Sequence, residues 1–243
     1  MKVLELFSGT GSVGKVCKQL GYNVVSVDMI MEADHKCDIM DFDYKQYDKD
    51  YFDIVWASPP CEKYSALQRC WFGRERNGEI YTKEKNLEEQ NEADKLVEKT
   101  LEIIDYFKPK YWFIENPQTG DLKNRNIMKN INFYDYDYCK YSDWGYKKTT
   151  RIWTNKKDLK PLKCLNDCEN MLITKTQKLH RERMGTSKTI QDGDKIVRCN
   201  TKKLREKYKD YENLQKYGTE VAHGTTLEQR YRIPEKIIFD LFL

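Results

Sequence analysis

The sequence predicts an α/β protein with a doubly wound, mostly parallel sheet and a small basic lobe. Three observations carry that prediction. Short apolar runs alternate with stretches of helical period through the first half; a glycine-rich turn joins the first run to the first helix; and the second half changes in composition and charge. Apolar strands separated by helices need a sheet covered on both faces.

Taken in order, "KVLEL" reads as a buried strand, and "SVGKVCKQL" as a helix closed by Gly21. "NVVSVD" is a second strand ending in Asp28, "FDIVWAS" a third and "YWFIEN" a fourth. A helix lies within Leu87 to Phe107, with Ala93, Val97, Leu101 and Ile104 on one face. Between "PPC" and that helix, Glu62 to Asn86 is polar, contains Gly73 and Gly78 and has no clear period. A loop of that length within a compact domain is usually functional or disordered. "FYDYDYCKY" and "TRIWTN" are further short strands, and "IPEKIIFDLFL" is a terminal helix with Pro234 in its first turn.

At 243 residues the chain can bury a full core. No apolar run approaches the roughly 20 residues of a membrane span, and "MKVLELF" lacks the pattern of a secretory signal. Eight cysteines in that setting point to reduced thiols inside a cell, in the cytoplasm, nucleoid or nucleus. Usage rich in Lys, Asn and Tyr points to an AT-rich source such as a virus or phage. The formal charge of +4 is uneven: Lys156 to Lys216 holds 17 Lys+Arg against 9 Asp+Glu, a net +8 that leaves −4 for the rest. That is the footprint of a polyanion-binding lobe, or of a solvated lysine-rich surface.

"LELFSGTGSVG" places Gly9, Gly11 and Gly14 in the pattern G-x-G-x-x-G between a strand and a helix. Glycines there allow a tight turn and a close approach to the main chain, and Asp28 could accept hydrogen bonds from a ribose. The motif suits a nicotinamide dinucleotide as well as S-adenosylmethionine. Cys61 follows Pro59 and Pro60 beyond the third strand, and Glu115 ends the fourth. In an open α/β sheet both reach the carboxyl edge beside the glycine turn, with the prolines holding the thiol in a fixed direction. Read blandly, Cys61 is filler, Glu115 an ion-pair partner, and Cys17 and Cys37 core.

With these residues in place, the chain resembles the DNA cytosine-5 methyltransferases. "ELFSGTGSVG" is similar to their S-adenosylmethionine-binding motif, "CDIMDFD" to the segment that holds the adenine, and "SPPC" to the nucleophile loop. "ENP" is similar to the Glu-Asn motif that grips the target base, and "KKTTRIW" to the later arginine motif. The resemblance covers roughly residues 1 to 155. It implies a Rossmann-like fold with catalytic residues Cys61, Glu115 and Arg151. It also implies a cofactor pocket of Phe7, Ser8, Gly9, Thr10, Gly11, Asp28, Met29, Asp38, Ile39 and Pro59. The implied cofactor is S-adenosylmethionine and the implied partner is DNA, with RNA as the alternative and no membrane or second copy. A silent nucleic-acid-binding protein on the same scaffold is the reading from another class; an oxidoreductase fits only the glycine motif.

The implied organisation is a catalytic domain over residues 1–155, a target-recognition lobe over 156–222 and a return to the catalytic domain over 223–243. Three departures stand out: the lobe is small, only one arginine occupies the arginine motif, and the Gly-Asn pair before the last helix is missing. "HRERMGTSK" offers bases and hydroxyls for phosphates. Cys164 and Cys168 could form a zinc set with His180 and Cys199, but their spacing is wider than C-x-x-C, which favours plain thiols.

Overall fold

The computed structural model describes residues 1–181, 188–199, 201–210 and 231–243. Most of "HRERMGTSK" and part of "LEQRYRIPEKI" lie outside the described residues.

The expected alternation is present. β1 (Lys2–Leu6) leads through α1 (Ser12–Gln19) to β2 (Asn23–Val27), and β3 (Ile54–Ala57) follows a long connection. The next connection carries the two-residue strands β4 (Glu75–Arg76) and β5 (Glu79–Ile80) and then α2 (Lys83–Phe107). β6 (Tyr111–Pro117), β7 (Phe133–Asp137) and β8 (Thr149–Thr154) complete a six-stranded sheet of order β2-β1-β3-β6-β8-β7. β1 pairs in parallel with β2 and β3, β3 in parallel with β6, and β8 runs antiparallel to β6. β1 lies between strands reached by opposite crossovers, so the switch point falls between β1 and β3, where such sheets bind ligands.

Burial explains these choices. Val3, Leu4, Leu6, Val55 and Ala57 are fully buried, as a strand covered on both faces requires. Leu4, Leu6, Val55 and Ala57 share one core with Phe107, Ile114 and Trp153. Cys17 is buried, and burial pushes its thiol up to about 12, so it is an inert core residue.

α2 begins four residues before the expected start. Thr82 caps it by accepting from the Lys85 N–H at 3.1 Å, and Lys108, left-handed before Pro109, ends it. Its buried face is apolar only toward the C-terminal end (Val97, Ile103, Ile104, Phe107); toward the other end it buries Asn86, Gln90 and Asp94. The segment Glu62 to Asn86 is not without regular structure. It holds a 3₁₀ helix (Ala66–Trp71) and the β4–β5 hairpin, turned by Asn77 and Gly78, both at positive φ.

The chain divides into two compact units, Met1–Asp135 with Thr150–Lys160, and Tyr136–Thr149 with Pro161–Leu243. The division differs from the expected break at residue 155: it falls within β7 and β8, and the C-terminal segment groups with the second unit. The second unit contains the hairpins β9 (Met171–Ile173) with β10 (Lys178–His180) and β11 (Lys188–Asp192) with β12 (Lys195–Cys199), then α3 (Lys202–Lys207) and α4 (Glu235–Phe242). Pro234 sits at the cap of α4 rather than inside it, and Ile237, Ile238 and Leu241 are buried. Among the described residues, no helix is long and apolar enough to cross a membrane.

Candidate active site

The glycine turn leaves the carboxyl end of β1 through three left-handed residues, Phe7, Gly9 and Gly11. Phe7 is the costly one, since a side chain at positive φ is held only where its surroundings impose it. Two carboxylates fasten the turn's main chain. Asp28 Oδ2 accepts from the Gly9 N–H at 2.8 Å, while its Oδ1 accepts from the Ile30 and Met31 N–H groups. Glu5 Oε2, buried in β1, accepts from the Gly14 N–H at 3.0 Å. A Cβ on Gly14 would meet that oxygen at 2.6 Å, which explains the third glycine. Burial raises Glu5 to about 7, against the lowering effect of the Gly14 and Val13 N–H groups.

The turn's outer side suits a cofactor. Ser8 Oγ is buried and has no hydrogen-bond partner among the described residues. Gly11, at the start of α1, caps the helix without a side chain, and a Cβ added to it would meet nothing within 4 Å. Met29 and Ile30 are exposed apolar side chains immediately after Asp28. Asp38 accepts from the Met40 N–H at 2.9 Å. Ile39 packs its side chain in the core, so only its backbone is available to a ligand.

Cys61 lies four residues past β3, half-buried, at the start of a turn in which the Tyr64 N–H donates to the Cys61 carbonyl at 3.1 Å. That turn is fastened on three sides. Asn116, wholly buried, donates its side-chain amide to the Pro59 carbonyl at 2.9 Å. Tyr64, also wholly buried, donates to Asp94 on α2 at 2.9 Å, and Asp94 in turn pairs with Arg125 at 2.6 Å. The Asp121 N–H donates to the Tyr64 carbonyl at 2.7 Å. The polar stripe of α2 thus serves the cysteine loop, with Gln90 reaching the Lys63 carbonyl at 3.4 Å. A stripe of Asn, Gln and Asp reads in sequence as a solvated face, so sequence reasoning misses this support.

Glu115 follows Ile114, which pairs with Ala57, so it reaches the same sheet edge one strand from Cys61. It is buried, and the Thr150 hydroxyl donates to its Oε1. Arg151 is where the structure departs from expectation. In the β6–β8 register Glu115 is opposite Ile152 and Asn116 opposite Arg151. Cross-strand partners share a face and successive residues alternate, so Arg151 points away from the side that carries Glu115 and Ile152. Thr150, two residues from Ile152, lies on the Glu115 side. The Arg151 guanidinium instead grips Asp135 through two bonds, 2.7 and 3.0 Å, and stacks on Phe133 at 3.6 Å. Arg151 is thus engaged by Asp135 on the face away from Glu115, contrary to the expected place beside it, and Thr150 is the neighbour the sequence missed.

The suggested cysteine–histidine set also changes. Cys199 lies in β12 against Ile190 and Tyr208, and Cys139 takes its place beside Cys164, Cys168 and His180.

No family model matches the chain. The chain is 34% identical, over 99% of its length and 98% of the relative's, to the protein named "Probable DNA (cytosine-5)-methyltransferase" of Frog virus 3 (isolate Goorha). Among solved structures it is similar to the Entamoeba histolytica methyltransferase EhMeth (17% identity, TM-score 0.47, 67% of this chain and 55% of that one). It is also similar to the S. pombe Dnmt2 methyltransferase (14% identity, TM-score 0.42, 67% and 52%). The chain spans about half the length of those two structures. With its glycine turn, its cysteine loop and its Glu-Asn strand at one sheet edge, and a viral relative that it matches from end to end, the chain belongs to the DNA (cytosine-5)-methyltransferase family.

Proposed function

We propose that this protein methylates C5 of cytosine in DNA through a transient bond between Cys61 and the ring. The observation that carries the reading is the Asn116–Pro59 hydrogen bond, which ties the strand bearing Glu115 to the loop bearing Cys61.

Cytosine C5 is a weak nucleophile until electron density is added to the ring. The Cys61 thiolate forms a bond to C6, the C5=C6 π pair moves onto C5, and Glu115, whose Oε1 also accepts from the Thr150 hydroxyl, holds the N3 and N4 edge with its carboxyl group. When bound, S-adenosylmethionine would supply an electrophilic methyl group for C5, its sulfonium becoming a neutral thioether. The C5 proton then departs to solvent, the S–C6 bond breaks, and its electron pair returns to Cys61. This is nucleophilic catalysis, one hard substitution divided into an addition and an elimination. The base must leave the duplex stack to reach the thiol. Phe7, Ser8, Gly9, Thr10 and Gly11, with Asp28, Met29, Asp38, Ile39 and Pro59, would hold the cofactor; the partnerless Ser8 hydroxyl and the open side of Gly11 fit that role. For the partner, exposed Lys202, Lys203, Lys207 and Lys209 on and beside α3 give the second unit cations for DNA phosphates.

The test uses duplex DNA with cytosine or 5-fluorocytosine and labelled cofactor. Label should enter cytosine, and 5-fluorocytosine, which cannot lose its C5 substituent as a proton, should trap the protein covalently. Cys61→Ala should abolish both. Trapping by the variant would overturn the nucleophile, and label in RNA alone would move the substrate.

A further inference from the structure

We propose that Cys139, Cys164, Cys168 and His180 form a structural zinc site in the second unit. Their four potential ligand atoms all lie within 4.8 Å of one another. His180 Nε2 is 3.4 Å from Cys164 Sγ and 3.3 Å from Cys168 Sγ. A tetrahedral zinc with ordinary Zn–S and Zn–N bonds separates its ligand atoms by about 3.5–3.8 Å, so the four atoms already stand near the corners of such a site.

The chain has built this corner in a way that packing alone does not require. The three thiols are buried with Met171 as their apolar neighbour, and among the described residues no aliphatic side chain joins the cluster. An imidazole nitrogen aimed at two sulfurs is poor filler and a good ligand. Cys139 stands on the turn after β7, Cys164 and Cys168 flank a loop in which Asn166 is left-handed, and His180 ends β10.

The surrounding bonds hold the ligand-bearing backbone in place. Asp137 accepts from the Cys164 N–H at 2.7 Å, and Asn170 donates to the Cys139 and Ser142 carbonyls at 3.0 and 2.8 Å. The strands that carry this corner are three residues long, too short to be stable by pairing alone. A metal gives such a lobe the cross-link that its apolar content does not.

The experiment is metal analysis of the full-length protein purified with a thiol reductant and without chelator. A single zinc per chain is expected. Cys164→Ser or His180→Ala should weaken zinc binding by more than the roughly 10–100-fold typical of losing an outer-shell partner, while Cys199→Ser should keep the metal. Because ligand variants can misfold, wild-type protein stripped and refilled with cobalt(II) should show the visible bands of tetrahedral thiolate coordination, and zinc should raise its Tm. A protein without metal as isolated and without a cobalt spectrum overturns the proposal, as does full zinc in Cys164→Ser or a Cys164–Cys168 disulfide in the isolated protein.

Discussion

Asn116 donates its side-chain amide to the carbonyl of Pro59, across 57 positions of sequence and with both partners buried. The asparagine of the Glu-Asn pair therefore serves the cysteine loop, while the glutamate beside it faces the other way along the strand. Asn116→Ala should leave the Pro59 carbonyl unsatisfied, at about 1–3 kcal/mol of stability. A displaced thiol should lower kcat by roughly 100-fold. Pro59 is also one of the residues proposed to hold the cofactor, so affinity for it should fall, but by less than kcat; calorimetry with S-adenosylmethionine separates the two effects.

Thr150 and Arg151 occupy opposite faces of one strand, which makes them a matched pair for mutagenesis. Thr150→Val should cut kcat roughly 10–100-fold, the equivalent of one hydrogen bond to a charged group. Arg151→Lys loses the two-pronged grip on Asp135 and should lower the Tm, while the folded fraction keeps its activity within a few-fold. The reverse pattern in steady-state kinetics would return Arg151 to the site.

Asp94 links Tyr64 to Arg125 beneath the cysteine turn. Asp94→Ala leaves a largely buried guanidinium with only the neutral Asn91 amide oxygen to accept from it, and urea unfolding should show a loss of about 3 kcal/mol. Removing Arg125 as well should recover part of that loss.

Glu5 predicts an unusual pH dependence. Its folded pKa is raised to about 7 by burial, from 4.5. Between those values the folded state holds a proton that the unfolded state releases, so this group's contribution to stability is full at and below pH 4.5 and is lost as pH rises to about 7. The contribution of this group is on the order of 3 kcal/mol. Glu5→Gln keeps an acceptor for Gly14 and should flatten that part of the profile in denaturant melts at a series of pH values.

The sheet was legible because its strands are apolar runs bounded by turn residues, and the glycine turn and Pro-Pro-Cys loop were legible because their meaning is local. Three features were not. Whether Thr150 or Arg151 meets Glu115 depends on the pairing of β6 with β8, and a shift of one residue exchanges them. Cys139 is 25 positions from Cys164, beyond any spacing rule, and reaches it only because the chain after β7 turns back. The polar face of α2 carries no apolar period at all, since its partners are Tyr64 and a backbone carbonyl rather than a core.

The two carboxylates that fasten the glycine turn have a kinetic and entropic consequence. Asp28 and Glu5 already hold the main chain of Gly9 and Gly14, and Phe7 already sits in its unfavourable conformation. A ligand arriving at this turn finds it organised and spends little free energy on ordering the chain. Association then approaches the docking of a rigid body, and differences in affinity among related cofactors appear mainly in how slowly each one leaves.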